Sequence, residues 1–252
     1  MKLTFLGTGT SVGVPAIACE CAVCRSSDAR DRRLRSSVMI EEAGRRILID
    51  TSVDLRQQAL RVKIDRLDAV LYTHPHADHM LGLDELRIFN FRQRQAIPAY
   101  GSRATLAGIQ RTFWYVFEKT QEGGGKPQVD LTPLDGPAEV AGFPVVPFPI
   151  THGGMTITGY RIGDFAYITD ASAVPDETYP MLKGLDLLVI NALRHKPHPT
   201  HLHLEASLRE IDRISPARAL LTHISHDLGH EGTEASLPSG IRMAYDGMTL
   251  EL

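Results

Sequence analysis

The chain reads as α/β (α+β), and three observations predict that class. Short apolar runs recur at 67–72, 185–190 and 217–221, with the composition of buried strands. A helical pattern at 53–62 stands between a hairpin and the first of those runs, the strand–helix–strand order of α/β folds. Polar residues of metal-binding type stand directly past several strand ends, most densely in LYTHPHADHMLG at 71–82.

The 252 residues, 43% hydrophobic and 23% charged, suit one globular domain over 1–252 with a sizeable core. A net charge of −3 argues against a general nucleic-acid binder and favours small partners. Neither a signal peptide nor a run of about 18 apolar residues is expected, so the chain reads as soluble and cytoplasmic, without a membrane partner.

Residues 2–6 read as a first strand. The glycine-rich GTGTSVGVP at 7–15 permits tight turns, but it lacks the dinucleotide GxGxxG spacing and the Lys-Ser/Thr of a P-loop. A cysteine loop at about 15–35 follows. Its Cys19, Cys21 and Cys24 are odd in number and packed into six residues, which is awkward for disulfides. A tetrahedral ion with room for one more ligand accounts for them better. Arg30, Arg32, Arg33 and Arg35 read as a solvated basic run. Residues 37–42 and 46–49 alternate about the turn at 43–45 as a hairpin, with Asp50 closing its second strand.

The stretch after the strand at 67–72 places His74, His76, Asp78 and His79 within six residues. Imidazole and carboxylate are the ligands of Zn, Mn or Fe, and such crowding makes little sense as packing. His74 and His76 can share one cation while Asp78 and His79 face a second; two ions about 3.5–4 Å apart can grip a phosphate and activate water. Four ligands cannot saturate two ions, so others must come from elsewhere.

Asp84 is expected to cap a helix running to about Phe91, and 104–117 to form another. The latter carries Phe113, Trp114, Tyr115 and Phe117, which suit a core or a homodimer interface. The glycines at 123–125 interrupt regular structure as a linker or lid. Strands follow at 129–134, 145–151, 156–162 and 165–169, then 185–190, a helix at 204–214 and a strand at 217–221. His152, Asp170 and His223 each stand where one of these strands stops, placed to complete the two-ion centre. His226, three residues past His223, can face away and complete the thiolate set. In HKPHPTHLH, with His195, His198, His201 and His203, the sharper reading is a general acid poised near a cleft.

HxHxDH after a strand, followed by a distant His, Asp and His at strand ends, resembles the metallo-β-lactamase superfamily over essentially the whole chain. CECAVC, PTHLHL, THISHD and LPSGIRMAYDGM resemble more narrowly the PhnP-type phosphodiesterases of the carbon–phosphorus lyase pathway, which act on phosphoribosyl 1,2-cyclic phosphate. The resemblance implies an αββα four-layer sandwich. It implies a first ion on His74, His76 and His152, a second on Asp78, His79 and His223, and Asp170 bridging. A structural zinc would sit on Cys19, Cys21, Cys24 and His226. His201 would be the general acid and Asp78 indispensable to turnover. His203, with His195 and His198 nearby, departs from many relatives. The function implied is hydrolysis of a small cyclic or nucleotide-like phosphodiester with two Mn or Zn ions. The rival functions are a tRNA-processing nuclease, a thioester or lactam hydrolase, or a zinc-binding sensor without enzymatic activity.

Overall fold

The computed structural model describes residues 1–119 and 125–252. The first sheet is built from β1 (Lys2–Gly7), β2 (Ser37–Glu42), β3 (Arg45–Ile49), β4 (Ala69–Leu71), β5 (Ile97–Gly101) and β6 (Val129–Pro133). The second takes β7 (Ala138–Val140), β8 (Phe143–His152), β9 (Met155–Ile162), β10 (Phe165–Ile168), β11 (Leu187–Asn191), β12 (Arg218–Thr222) and β13 (Ile241–Met243). β14 (Thr249–Glu251) then returns to the first sheet beside β1, so that each sheet has seven strands. β3 through β6 pair in parallel, as do β10 through β13, whereas the remaining ladders are antiparallel.

Period-two burial makes the four layers. Leu3, Phe5, Ile47, Ile49 and Leu71 of the first sheet meet Tyr160, Phe165, Tyr167 and Val189 of the second in one cluster between the sheets. The alternate residues Leu6, Leu48, Val70 and Tyr72 face the outer helices α1 (Leu55–Val62), α2 (Ala77–Met80), α3 (Leu86–Gln93), α4 (Arg103–Thr112) and α5 (Trp114–Phe117). On the other side Ile168, Leu188, Ile190 and Leu221 meet Leu204, Ile211 and Ile214 of α6 (Leu204–Ile214), and a short α7 (His230–Glu234) follows. Strands buried on both faces read as continuous apolar runs, as these do. The Tyr160 hydroxyl ties the sheets together by donating to the Tyr72 carbonyl at 2.6 Å.

Several expectations need correction. Asp84 caps no helix: it lies in a 3-10 turn at Leu81–Glu85, accepts the Tyr115 hydroxyl at 2.6 Å and pairs with Arg87. The helix expected from 53 begins at Leu55 with Asp54 as its N-cap, whose carboxylate accepts the Arg35 backbone N–H at 2.9 Å rather than a helix N–H. The helix expected over 104–117 breaks at Phe113, whose φ of −104° and ψ of 37° leave the helical region, and Ser102 caps its first part. Phe113 is buried and Trp114 is exposed. The glycines at 123–125 lie, apart from Gly125, outside the described residues.

The arginine run is only partly a solvated face: Arg32 is exposed, but Arg33 is not. Arg33 is buried, donating to Thr8 Oγ1 at 2.8 Å and to the Ala244 carbonyl at 2.6 Å, with His230 Nδ1 at 3.1 Å. Burial pulls its pKa down to about 10. The glycine-rich loop packs closely against the chain. A Cβ on Gly7 would lie 2.0 Å from the Arg35 carbonyl, and Gly9 bridges to Arg35 and Ile224. Among the described residues no helix is long and apolar enough to cross a membrane.

Candidate metal centre

β3, β4, β8, β10 and β12 bring their carboxyl ends to one edge of the sandwich, and the polar residues past those ends converge there. The ligand atoms of His74, His76 and His152 lie within 4.8 Å of one another, as do those of Asp78, His79, Asp170 and His223. His74 and His79 come from the loop and short helix after β4, His152 ends β8, Asp170 follows β10 and His223 follows β12. Three residues at this edge, Asp50, Asp170 and His223, hold φ near +60° (64°, 58° and 55°). Side-chain-bearing residues rarely adopt that region, and strain of this kind clusters at functional sites.

The partners behind these side chains decide which ring nitrogen faces the centre. His79 Nδ1 donates to Asp50 Oδ2 at 2.7 Å, and His152 Nδ1 donates to the Thr200 carbonyl at 2.8 Å. The Thr73 hydroxyl gives its proton to Asp50 and therefore accepts from His74 Nδ1 at 2.9 Å. Ser36 likewise donates to the Gly9 carbonyl and accepts from His223 Nδ1 at 3.2 Å. In all four rings Nδ1 is anchored and Nε2 is left with a free lone pair, the arrangement of metal-ligating histidine.

The donor set fits cations. His79 Nε2 is buried without a hydrogen-bond partner, yet Asp78 Oδ2 and Asp170 Oδ2 stand 3.3 and 3.2 Å from it. His74 Nε2 faces His76 Nδ1 at 3.1 Å. Burial would push the Asp170 carboxyl up, but His223 and His79 hold it well below the usual carboxylate range. Burial would likewise lower His79, but Asp170, Asp78 and Asp50 raise it well above the ordinary imidazole value, so the surrounding carboxylates favour positive charge at its Nε2, which a cation would supply in place of a proton. Carboxylates and lone pairs facing one another call for positive charge between them, which a divalent ion supplies.

His201 belongs to the same edge. Its Nε2 is 3.0 Å from Asp170 Oδ1, and its ligand atom groups with those of His152 and Asp170. His198 packs behind it, with ring centroids 5.0 Å apart. His195 and His203 belong to none of the metal-competent groups among the described residues.

The second cluster is separate. Cys19 Sγ, Cys24 Sγ and Cys21 Sγ lie 3.2, 3.3 and 3.8 Å from His226 Nδ1. A tetrahedron with Zn–S of about 2.3 Å and Zn–N of about 2.0 Å has N···S edges of about 3.5 Å, so the four atoms fit one zinc. Burial raises the Cys24 thiol to about 11, while the Cys24 backbone N–H lowers Cys21.

Four residues that orient ligands were not singled out from sequence: Ser36, Asp50, Thr73 and Thr200. Asp50 left the clearest signal, an acidic residue ending the buried strand ILI, the same pattern that marks Asp170.

Residues 45–224 match the family model described as a β-lactamase superfamily domain. The chain belongs to the metallo-β-lactamase superfamily. The match excludes Cys19, Cys21, Cys24 and His226, so the thiolate cluster lies outside the segment common to that family. A crystal structure described as a new diphosphatase from the PhnP family superimposes with a TM-score of 0.93 at 46% identity, over 99% of this chain and 96% of the other. The chain is thus a PhnP-like member of the superfamily. Zn2+-bound PqqB from Methylobacterium extorquens shares the fold, with a TM-score of 0.81 at 23% identity over the full length of both. An octanoyltransferase of Porphyromonas gingivalis is 42% identical over 98% of this chain but 51% of its own length. The chain therefore spans about half of that curated relative.

Proposed function

We propose that this PhnP-like protein is a two-metal hydrolase acting at phosphorus on a small cyclic or nucleotide-like phosphodiester. The observation that carries the reading is the position of Asp170: its two carboxylate oxygens lie 3.2 Å from His79 Nε2 and 3.2 Å from His223 Nε2, and the same carboxylate also groups with His152 of the three-histidine set. One carboxylate so placed suits a bridge between two cations. His74, His76 and His152 would hold one, Asp78, His79 and His223 the other, and Asp170 both; Cys19, Cys21, Cys24 and His226 would hold a structural zinc. When two Mn or Zn ions are bound, they supply charge neutralisation at the phosphoryl oxygens and lower the pKa of water.

The chain's own residues do the rest. The anchored Nδ1 atoms fix the ligand rings before substrate arrives, which limits reorganisation during reaction. His201, with Nε2 turned to the centre, hands a proton to the departing oxygen, a contribution typically worth about 10²–10⁴ in rate. The diphosphatase relative supports chemistry at phosphorus and makes a diphosphate bond a second substrate to test. The Porphyromonas relative favours a further reading, hydrolysis of an acyl thioester. The net charge of −3 counts against a long RNA.

A panel decides among these: a ribose cyclic phosphate, bis(p-nitrophenyl) phosphate, a nucleoside diphosphate, octanoyl thioester and a tRNA precursor, each with metal-loaded protein. Turnover of the phosphodiesters, abolished in Asp78→Asn with its circular dichroism unchanged, is the expected result. Faster turnover of the thioester, or equal activity in Asp78→Asn, overturns the reading. Metal analysis separates enzyme from sensor, since the enzyme needs about three ions per chain and a sensor about one.

A further inference from the structure

Thr200 sits between His198 and His201 in KPHPTH, and each of its polar groups has a separate duty. Its carbonyl accepts from His152 Nδ1 at 2.8 Å. Its backbone N–H donates to His198 Nδ1 at 3.3 Å. Its hydroxyl lies 2.8 Å from His201 Nδ1 and 3.2 Å from His198 Nδ1, with those two nitrogens 3.3 Å apart. Pro197 and Pro199 restrict the backbone on either side of His198, so the array is held by a stiff segment.

The array fixes the direction of the His201 ring. The Thr200 hydroxyl, 2.8 Å from His201 Nδ1, holds that nitrogen on the side away from the centre, which turns Nε2 toward it, 3.0 Å from Asp170 Oδ1. His198 Nδ1, 3.2 Å from the same hydroxyl and 3.3 Å from the Thr200 backbone N–H, holds Thr200 in place in turn.

We infer that Thr200 and His198 are positioning residues, which hold the His201 ring with its Nε2 directed at the leaving oxygen. The inference rests on the general-acid role given to His201 above, and it adds a specificity consequence. A general acid matters for a poor leaving group and little for a stabilised one. Loss of the array should therefore penalise alkyl or ribosyl phosphodiesters far more than nitrophenyl ones.

Thr200→Val separates the duties of this residue, because it removes the hydroxyl while keeping the carbonyl that anchors His152 and a side chain of nearly the same shape. The experiment compares kcat for a methyl p-nitrobenzyl-type alkyl phosphodiester with kcat for bis(p-nitrophenyl) phosphate, in holoprotein with metal content measured. In Thr200→Val and His198→Leu the alkyl-to-aryl ratio should fall by about 10-fold or more, within the range general acids contribute. Thr200→Ser and His198→Asn, which restore a hydroxyl and an acceptor, should recover most of it. An equal loss on both esters, or none, overturns the inference. His201→Ala tells the two ideas apart: an unchanged ratio there removes the general-acid role and this inference with it. A fallen ratio in His201→Ala with an unchanged one in Thr200→Val removes the positioning role alone.

Discussion

Replacing Asp50 with Asn changes one buried atom and should loosen an ion that Asp50 never touches. Oδ1 accepts the Thr73 backbone N–H at 2.8 Å, and Oδ2 accepts the Thr73 hydroxyl at 2.8 Å and His79 Nδ1 at 2.7 Å. An amide has one acceptor for these three donors. If its oxygen stays with Oδ2's partners, its NH2 opposes the Thr73 N–H in a dry interior. If it turns over, NH2 faces His79 Nδ1, which can accept only if the ring moves its proton to Nε2, the nitrogen meant for metal. Either way His79 loses a bond to a charged acceptor, worth about 1.5–3 kcal/mol. At about 1.4 kcal/mol per tenfold, that is about 10- to 100-fold in ion affinity, the range typical of partners behind metal ligands. Asn tolerates the φ of 64° at this position, so the backbone is spared. The assay is a competition titration of the ion against a chromophoric chelator, with circular dichroism as the control. Wild-type affinity in a folded Asp50→Asn protein would refute the account.

Other expectations follow from the same geometry. Cys24→Ser should remove one of about three ions per chain in metal analysis and lower the melting temperature, because Cys24 is the buried member of its cluster. Tyr160→Phe leaves the Tyr72 carbonyl without its cross-sheet donor and should cost about 1–2 kcal/mol in urea unfolding. The His230 pKa is held down to about 4, first by burial and then by Arg33, whose guanidinium needs Nδ1 as an acceptor. The unfolded chain takes up that proton near pH 6.5, so this contribution to stability is complete above about 6.5 and is lost as pH falls toward about 4. His230→Gln should flatten the pH dependence of urea unfolding in that window; an unaltered slope would mean that His230 is not the group responsible.

What the sequence disclosed depends on the kind of signal each residue leaves. His74, His76, Asp78, His79, His152, Asp170 and His223 could be placed because each is a polar residue directly past an apolar run, and parallel strands in a sandwich deliver such positions to one edge. Ser36, Thr73 and Thr200 were hidden because hydroxyl residues at strand ends are ordinary turn chemistry, and only a partner distant in sequence reveals their duty. Arg33 was misread because neighbouring arginines masked the one whose partners, Thr8, His230 and Ala244, are remote along the chain. β7, β13 and β14, at three residues each, are too short to show a period and exist through tertiary pairing.

The division of the candidate ligands between the two sheets has a consequence for how the chain could be taken apart. His74, His76, Asp78 and His79 follow a strand of the first sheet, and His152, Asp170 and His223 end or follow strands of the second. A cut in the connection between β6 and β7 would leave neither fragment with a full ligand set, and β14 would travel with the piece that lacks its partner strand. Hydrolysis on remixing the fragments would then report docking of sheet on sheet, making the enzyme a sensor of its own reassembly.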